Sequence, residues 1–126
     1  MPFDFVVHPI RWHRCPSVAA DPHAQSWLML ESHRGLASKT LDAHSRALER
    51  YLSFLGPGHF SSVSIARAEF GFYRARLQAG DVRLSNATVQ QLLTVVRLFH
   101  AYLMEEGARS NNPAAQNYTG RSVHER

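Results

Sequence analysis

Apolar side chains recur at every third or fourth position in four stretches of the chain, a spacing that places them on one face of an α-helix. The fourth stretch, from Ser85 to Glu106, is the longest, and no convincing strand pattern or internal repeat accompanies these stretches. Glycine, proline and hydroxyl-bearing residues separate the stretches and favour helix ends. The sequence therefore predicts an all-α fold with four helices, at about residues 21–35, 38–55, 66–80 and 85–106.

Residues that favour helix ends support these limits. Asp21 followed by Pro22 is typical of a helix start, because the carboxylate accepts from free backbone N–H groups and proline suits the first turn. Gly56 and its neighbours are expected to end the second helix. Ile65 and Phe70 are spaced to pack against each other across the start of the third helix.

The two ends of the chain lack this periodicity. Residues 1–20 contain three prolines, so they are predicted to form an irregular N-terminal arm outside the core, with a short extended stretch at residues 3–7. Residues 21–113 form the predicted helical domain. Residues 114–126 are polar and aperiodic and are predicted to be a linker or a disordered tail.

Length and composition narrow the classes of protein. With 126 residues, 44% of them hydrophobic, the chain suits one globular domain. No run is apolar and long enough to cross a membrane and no signal peptide is apparent, so a cytoplasmic protein is expected. The single cysteine, Cys15, excludes an internal disulfide.

The charge balance favours a polyanionic partner. The 14 basic residues exceed the 10 acidic ones, for a net charge of +4, and Lys39 is the sole lysine among them. The planar guanidinium of arginine pairs with phosphate through two hydrogen bonds and also reads guanine edges. An arginine excess also follows from GC-rich coding, so composition alone leaves nucleic-acid binding open.

The order of motifs resembles a known family. The second helix reads SKTLDAHSRALERYLSFL, and the fourth reads LSNATVQQLLTVVRLFHAYLMEEG before NNPA. Over about residues 26–114 these features resemble the N-terminal core-binding domain of tyrosine recombinases, the phage integrase family. His44 departs from that pattern, because the family usually has tyrosine there.

The resemblance implies a small orthogonal four-helix bundle of the SAM-like type. Such a domain clamps one face of double-stranded DNA, with the starts of its second and fourth helices toward the major groove. It also implies contacts with other recombinase subunits in a tetramer on DNA, and no small-molecule substrate. The DNA-binding residues implied by the resemblance are Ser38, Lys39, Thr40, Arg46, Asn86, Thr88 and Gln91, and Arg83 and Arg97 join them as basic residues of the same surface.

Each of these residues also has a purely structural interpretation. The hydroxyls of Ser38, Thr40 and Thr88, like that of Ser85, stand where any helix needs caps. The arginines are ordinary solvated side chains by default, and Arg97 can extend over the core. Asp42 would repel phosphate unless it points away, accepts from a cytosine amine or pairs with Arg46.

Catalysis is not expected from this chain by itself. In the family, a tyrosine nucleophile, arginines, a lysine and a His-x-x-Arg element belong to a separate C-terminal domain. His8 and Arg11 match His-x-x-Arg in the wrong context, and we interpret this as coincidence. His8, His13, Cys15 and His23 do not fit a known zinc pattern, so no metal or other cofactor is predicted.

The alternative function is a helical protein-interaction module that pairs with other recombinase subunits. Exposed apolar side chains at Phe60, Phe72 or Met104 would favour this module. One continuous basic face over residues 39–50 and 83–91 would favour DNA.

Overall fold

The computed structural model describes residues 9–59, 61–80 and 84–115, and every regular element in these ranges is helical. The all-α prediction is therefore confirmed. A short 3₁₀ turn precedes five α-helices. Their bounds are Trp12–Arg14 for the 3₁₀ turn, then Pro16–Ala19 (α1), Pro22–His33 (α2), Ser38–His59 (α3), Arg67–Ala79 (α4) and Asn86–Glu105 (α5).

The helix starts follow from local side-chain capping. The Asp21 carboxylate accepts from the backbone N–H groups of His23 and Ala24, which begins α2 as predicted. The Glu69 carboxylate accepts from the N–H of Ala66 at the start of α4. Buried Ile65 and Phe70 flank that start, as the predicted hydrophobic contact requires.

The end of α3 differs from the prediction. Gly56 was expected to end the helix, but α3 runs to His59. Gly56 adopts φ +65°, in the left-handed region that favours glycine, so the regular right-handed geometry does break at the predicted residue. One further turn then follows the break before the chain leaves the helix.

The core lies between α2, α3, α4 and α5. It is built on the helix faces that the periodicity predicts, and its aromatic rings contact one another. The ring of Tyr51 lies 5.1 Å from that of Tyr73, centroid to centroid, and Trp27 lies 5.6 Å from Phe99. These aromatic side chains are buried, so they stabilise the bundle rather than offer a surface for bases.

Residues 9–20 of the N-terminal arm are more ordered than predicted. Within residues 9–20 the chain forms the 3₁₀ turn and α1, and the side chains of Cys15 and Val18 belong to the core, with exposed fractions of 2% and 0%. The sequence pattern missed this because a single four-residue helix contributes too few apolar positions to show a period. The extended stretch predicted at residues 3–7 lies outside the described residues.

The segment after α5 is held against the bundle by side chains. Arg109 donates to the carbonyl oxygens of Ser62 and Ile65 at 3.0 and 2.8 Å, which ties the α3–α4 loop to this segment. Asn112 donates to the carbonyl of Arg97, and the Arg97 Nε donates to the carbonyl of Ala114. Ala114 is buried although it falls in the predicted tail; residues 116–126 of that tail lie outside the described residues.

Candidate nucleic-acid interface

A surface groove lies between α3 and α5, and we call it the α3–α5 groove. It has a volume of about 560 Å³ and brings together Arg46, Thr88 and Gln91, three of the residues singled out from the sequence. Arg50 from α3 and Arg14 from the 3₁₀ turn also line it. The remaining lining residues are Ala43, Ala47, Glu49, Leu92 and Val95.

Basic residues continue from this groove along α3. Lys39, Arg46 and Arg50 are separated by seven and four positions, so they fall on one stripe of the helix. All three are exposed. Ser38 and Thr40 are exposed in the same first turn, although neither lines the groove.

The start of α5 places a hydrogen-bonded pair of hydroxyls, Ser85 and Thr88, beside the groove. The Ser85 hydroxyl accepts from the N–H of Thr88 at 3.1 Å and donates to the Thr88 hydroxyl at 3.0 Å. The capping interpretation is therefore correct for the Ser85 hydroxyl, whereas the Thr88 hydroxyl binds the capping side chain and does not itself cap the helix. Because the Thr88 hydroxyl accepts here, its own hydrogen is available to a further acceptor. Asn86, the first residue of α5, is exposed.

Two acidic side chains of α3 are directed to neighbours in the N-terminal arm. Asp42 pairs with Arg11 at 3.9 Å, rather than with Arg46 at the next turn. Glu49 accepts from the backbone N–H groups of Ser17 and Val18 at 3.2 and 3.0 Å. The Asp42 pair is partly exposed and weak, whereas Glu49 holds two backbone donors at the start of α1.

Arg97 lies apart from the α3–α5 groove. It lines a second groove of about 460 Å³ between α4 and α5, together with Arg67, Arg74 and Gln90. Its Nε is bound to the carbonyl of Ala114, so the structure supports a packing role for this arginine. Arg83, the ninth residue of the predicted site, lies outside the described residues.

Arg14 is the groove residue that sequence reasoning missed. The position of Arg14 depends on the docking of the arm onto α3, and no periodic pattern in the sequence predicts that docking. The available signal was local: Pro16 follows Cys15 directly, and proline suits the first turn of a helix. A helix predicted to start at Pro16 would have indicated that Arg14, two residues earlier, has a fixed position.

Two polar pairs between helices belong to the fold. His44 Nδ1 lies 2.6 Å from Glu31 Oε1, and the His44 ring stacks on that of Trp27 with their centroids 5.6 Å apart. The histidine that stands where the family usually has tyrosine is therefore accommodated by a polar contact between α2 and α3. The Tyr51 hydroxyl lies 2.7 Å from His100 Nε2. Burial, with a smaller effect of Arg109, lowers the pKa of His100 to about 3.

The described residues contain neither a metal-binding cluster nor a membrane-spanning helix. No three His, Cys, Asp or Glu side chains there come close enough together to hold a metal ion. His8, one of the four residues considered as zinc ligands, lies outside those residues. No helix within the described ranges has the length and apolar character needed to span a bilayer.

The fold and the motif order define a class of protein, the small all-α domains of the SAM-like type. The model of the phage integrase N-terminal SAM-like domain matches residues 24–107, which is most of the chain. The chain therefore belongs to the phage integrase N-terminal SAM-like domain family, and the resemblance drawn from the sequence is confirmed. The matched domain is not the catalytic one. No curated protein and no solved structure is matched by the chain.

Proposed function

We propose that this chain binds double-stranded DNA as the N-terminal clamp domain of a tyrosine recombinase, without catalysing strand exchange itself. The observation that carries the proposal is the α3–α5 groove, where Arg46, Thr88 and Gln91 meet. Family membership gives the recombinase setting, and the net charge of +4 suits a polyanion.

The chemistry of the groove suits a duplex. Arginine and threonine are donors to phosphate oxygens, and a glutamine amide can pair with the edge of adenine in the major groove. The first turn of α5 lies beside the groove through Thr88, and a helix N-terminus favours an anion. We infer that Arg46 and Thr88 position the backbone while Gln91 meets the bases.

The first turn of α3 extends the same proposed surface. Ser38, Lys39 and Thr40 are exposed, and Lys39 shares its stripe with Arg46. We propose that these side chains contact phosphates beyond the groove. Asn86 would do so at the start of α5, whereas Arg97 is left out of the proposed contact set because it is bound to Ala114.

A second candidate function is a contact with another recombinase subunit. It rests on Phe72, whose side chain is 61% exposed on α4, and on Met104, which is 41% exposed. Large exposed apolar side chains favour a protein partner over a nucleic acid. Phe60, the third residue named for this function, lies outside the described residues.

The test of DNA binding is a fluorescence-anisotropy titration of a labelled duplex at several salt concentrations. Arg46→Gln should weaken binding about eightfold near 0.1 M salt and lower the slope of log K against log salt by about 0.9, since one phosphate contact is lost. Arg74→Gln on α4 is the matched control, because it removes the same charge outside the groove. Binding that does not depend on salt, or equal losses for both variants, would contradict the proposal.

A further inference from the structure

The N-terminal arm lies against the same face of α3 that carries the proposed DNA contacts. Residues 9–20 precede the stretch matched by the family model, which begins at residue 24. Their position is fixed from two sides, because Cys15 and Val18 are buried in the core and Glu49 accepts from the N–H groups of Ser17 and Val18. The Ser17 and Ser53 hydroxyls, 3.3 Å apart, add a further contact between α1 and α3.

This docking brings two arginines beside Arg46. Arg14 lines the α3–α5 groove with Arg46, Arg50 and Gln91. Arg11, Arg14 and Arg46 also surround a smaller adjacent pocket with Asp42, where Arg11 pairs with the carboxylate at 3.9 Å. The arm is therefore a wall of the groove and not a separate segment beside it.

The arm also makes the net charge of the surface beside α3 positive. On α3 itself, Arg46 and Arg50 are balanced by Asp42 and Glu49, so this part of the helix has no net charge. Arg11 and Arg14 make the combined surface positive by two charges. A phosphate approaching α3 alone would meet a balanced surface, whereas one approaching α3 with the arm docked meets an excess of guanidinium groups.

We propose that Arg14, held in place by the docking of the arm onto α3, contacts a backbone phosphate of the duplex together with Arg46. This inference rests on the proposed DNA binding and adds a contact outside the matched family domain. Arg11 acts differently, since it neutralises Asp42 and thereby removes a repulsive charge from the groove edge. Glu49 is a positioning residue that holds the start of α1.

The test uses the full chain and the same labelled duplex and salt series. Arg14→Gln should weaken binding about eightfold near 0.1 M salt and reduce the salt slope by about 0.9, because its phosphate contact is lost. Arg14→Lys should restore most of the slope, since lysine keeps the charge. Arg14 is exposed, so the thermal unfolding of the variants should match that of the wild type.

The outcomes separate this inference from the proposed function. If the wild type binds and Arg46→Gln weakens it while Arg14→Gln behaves like the Arg74→Gln control, the arm contact is wrong and DNA binding stands. If the wild type does not bind any duplex, the proposed function itself fails. A loss for Arg14→Gln that exceeds the control and is restored by Arg14→Lys supports the contact.

Discussion

His100, which is paired with Tyr51 in the core, makes the stability of the fold depend on pH. His100 is completely buried between α3 and α5, and its pKa of about 3 lies below the ordinary value of 6.5. As the pH falls below about 6.5, the unfolded chain binds a proton that the folded protein does not accept. The stabilisation is therefore present above about pH 6.5 and decreases steadily as the pH falls toward 3.

We expect this histidine to account for about 2 kcal/mol of lost stability between about pH 7 and pH 5. His100→Gln removes the titrating group while the amide can still bond to the Tyr51 hydroxyl. The loss between the two pH values should therefore be about 2 kcal/mol smaller in the variant. Urea denaturation of both proteins measures it, and identical pH dependence in the two would show that His100 is not responsible.

At the scale of elements, Glu49 is one of the polar links between α1 and α3. Its carboxylate accepts from the first N–H groups of a four-residue helix that has little stability of its own. Glu49→Ala should expose these amides to solvent, so hydrogen exchange at Ser17 and Val18 is expected to quicken roughly tenfold or more, as the loss of one or two hydrogen bonds implies.

A matched comparison is available for this prediction. Glu69 also accepts from a backbone N–H, that of Ala66 at the start of α4. Glu69→Ala should quicken exchange at Ala66 and leave Ser17 and Val18 unchanged. Uniform acceleration of all amides in Glu49→Ala would instead indicate global destabilisation and would contradict a local role.

The four longer helices, α2 to α5, were predictable because each carries its own signals. The starts of α2 and α5 follow from the capping side chains of Asp21 and Ser85, whose chemistry is read within four residues. The contact between the arm and α3 was not predictable, because Glu49 and Ser17 are far apart in sequence and neither belongs to a periodic pattern. The site was therefore only partly predictable. Arg46, Thr88 and Gln91 lie on helices with a clear apolar period, whereas the position of Arg14 depends on the long-range contact between the arm and α3.

At the scale of the whole molecule, the lining of the α3–α5 groove leads us to expect duplex DNA, rather than single-stranded DNA, as the proposed ligand. Proteins that bind single strands stack the bases on exposed aromatic rings. The lining of the α3–α5 groove contains no aromatic side chain, and Tyr51, Tyr73 and Phe99 lie in the core. The proposed DNA binding therefore rests on charge and shape, which suit the denser phosphates of a duplex.

We expect a duplex to bind about fivefold more tightly than a single strand near 0.1 M salt if three or four phosphates are contacted, because fewer counterions are released per contact from a single strand. Competition of unlabelled duplex and single strand against a labelled duplex measures the ratio. Tighter binding of the single strand would indicate a base-stacking surface elsewhere on the molecule.

Because Lys39 is the sole lysine, the protein can be acylated at one defined side chain. It is exposed at the start of α3 and carries the sole side-chain amine of the chain. A mild acylating reagent therefore has a single lysine to modify, at the edge of the proposed interface. Mass spectrometry of the protein modified with and without duplex measures how far Lys39 is protected. We expect slower acylation of Lys39 in the complex. An unchanged rate would mean that the first turn of α3 stays open to solvent when DNA is bound.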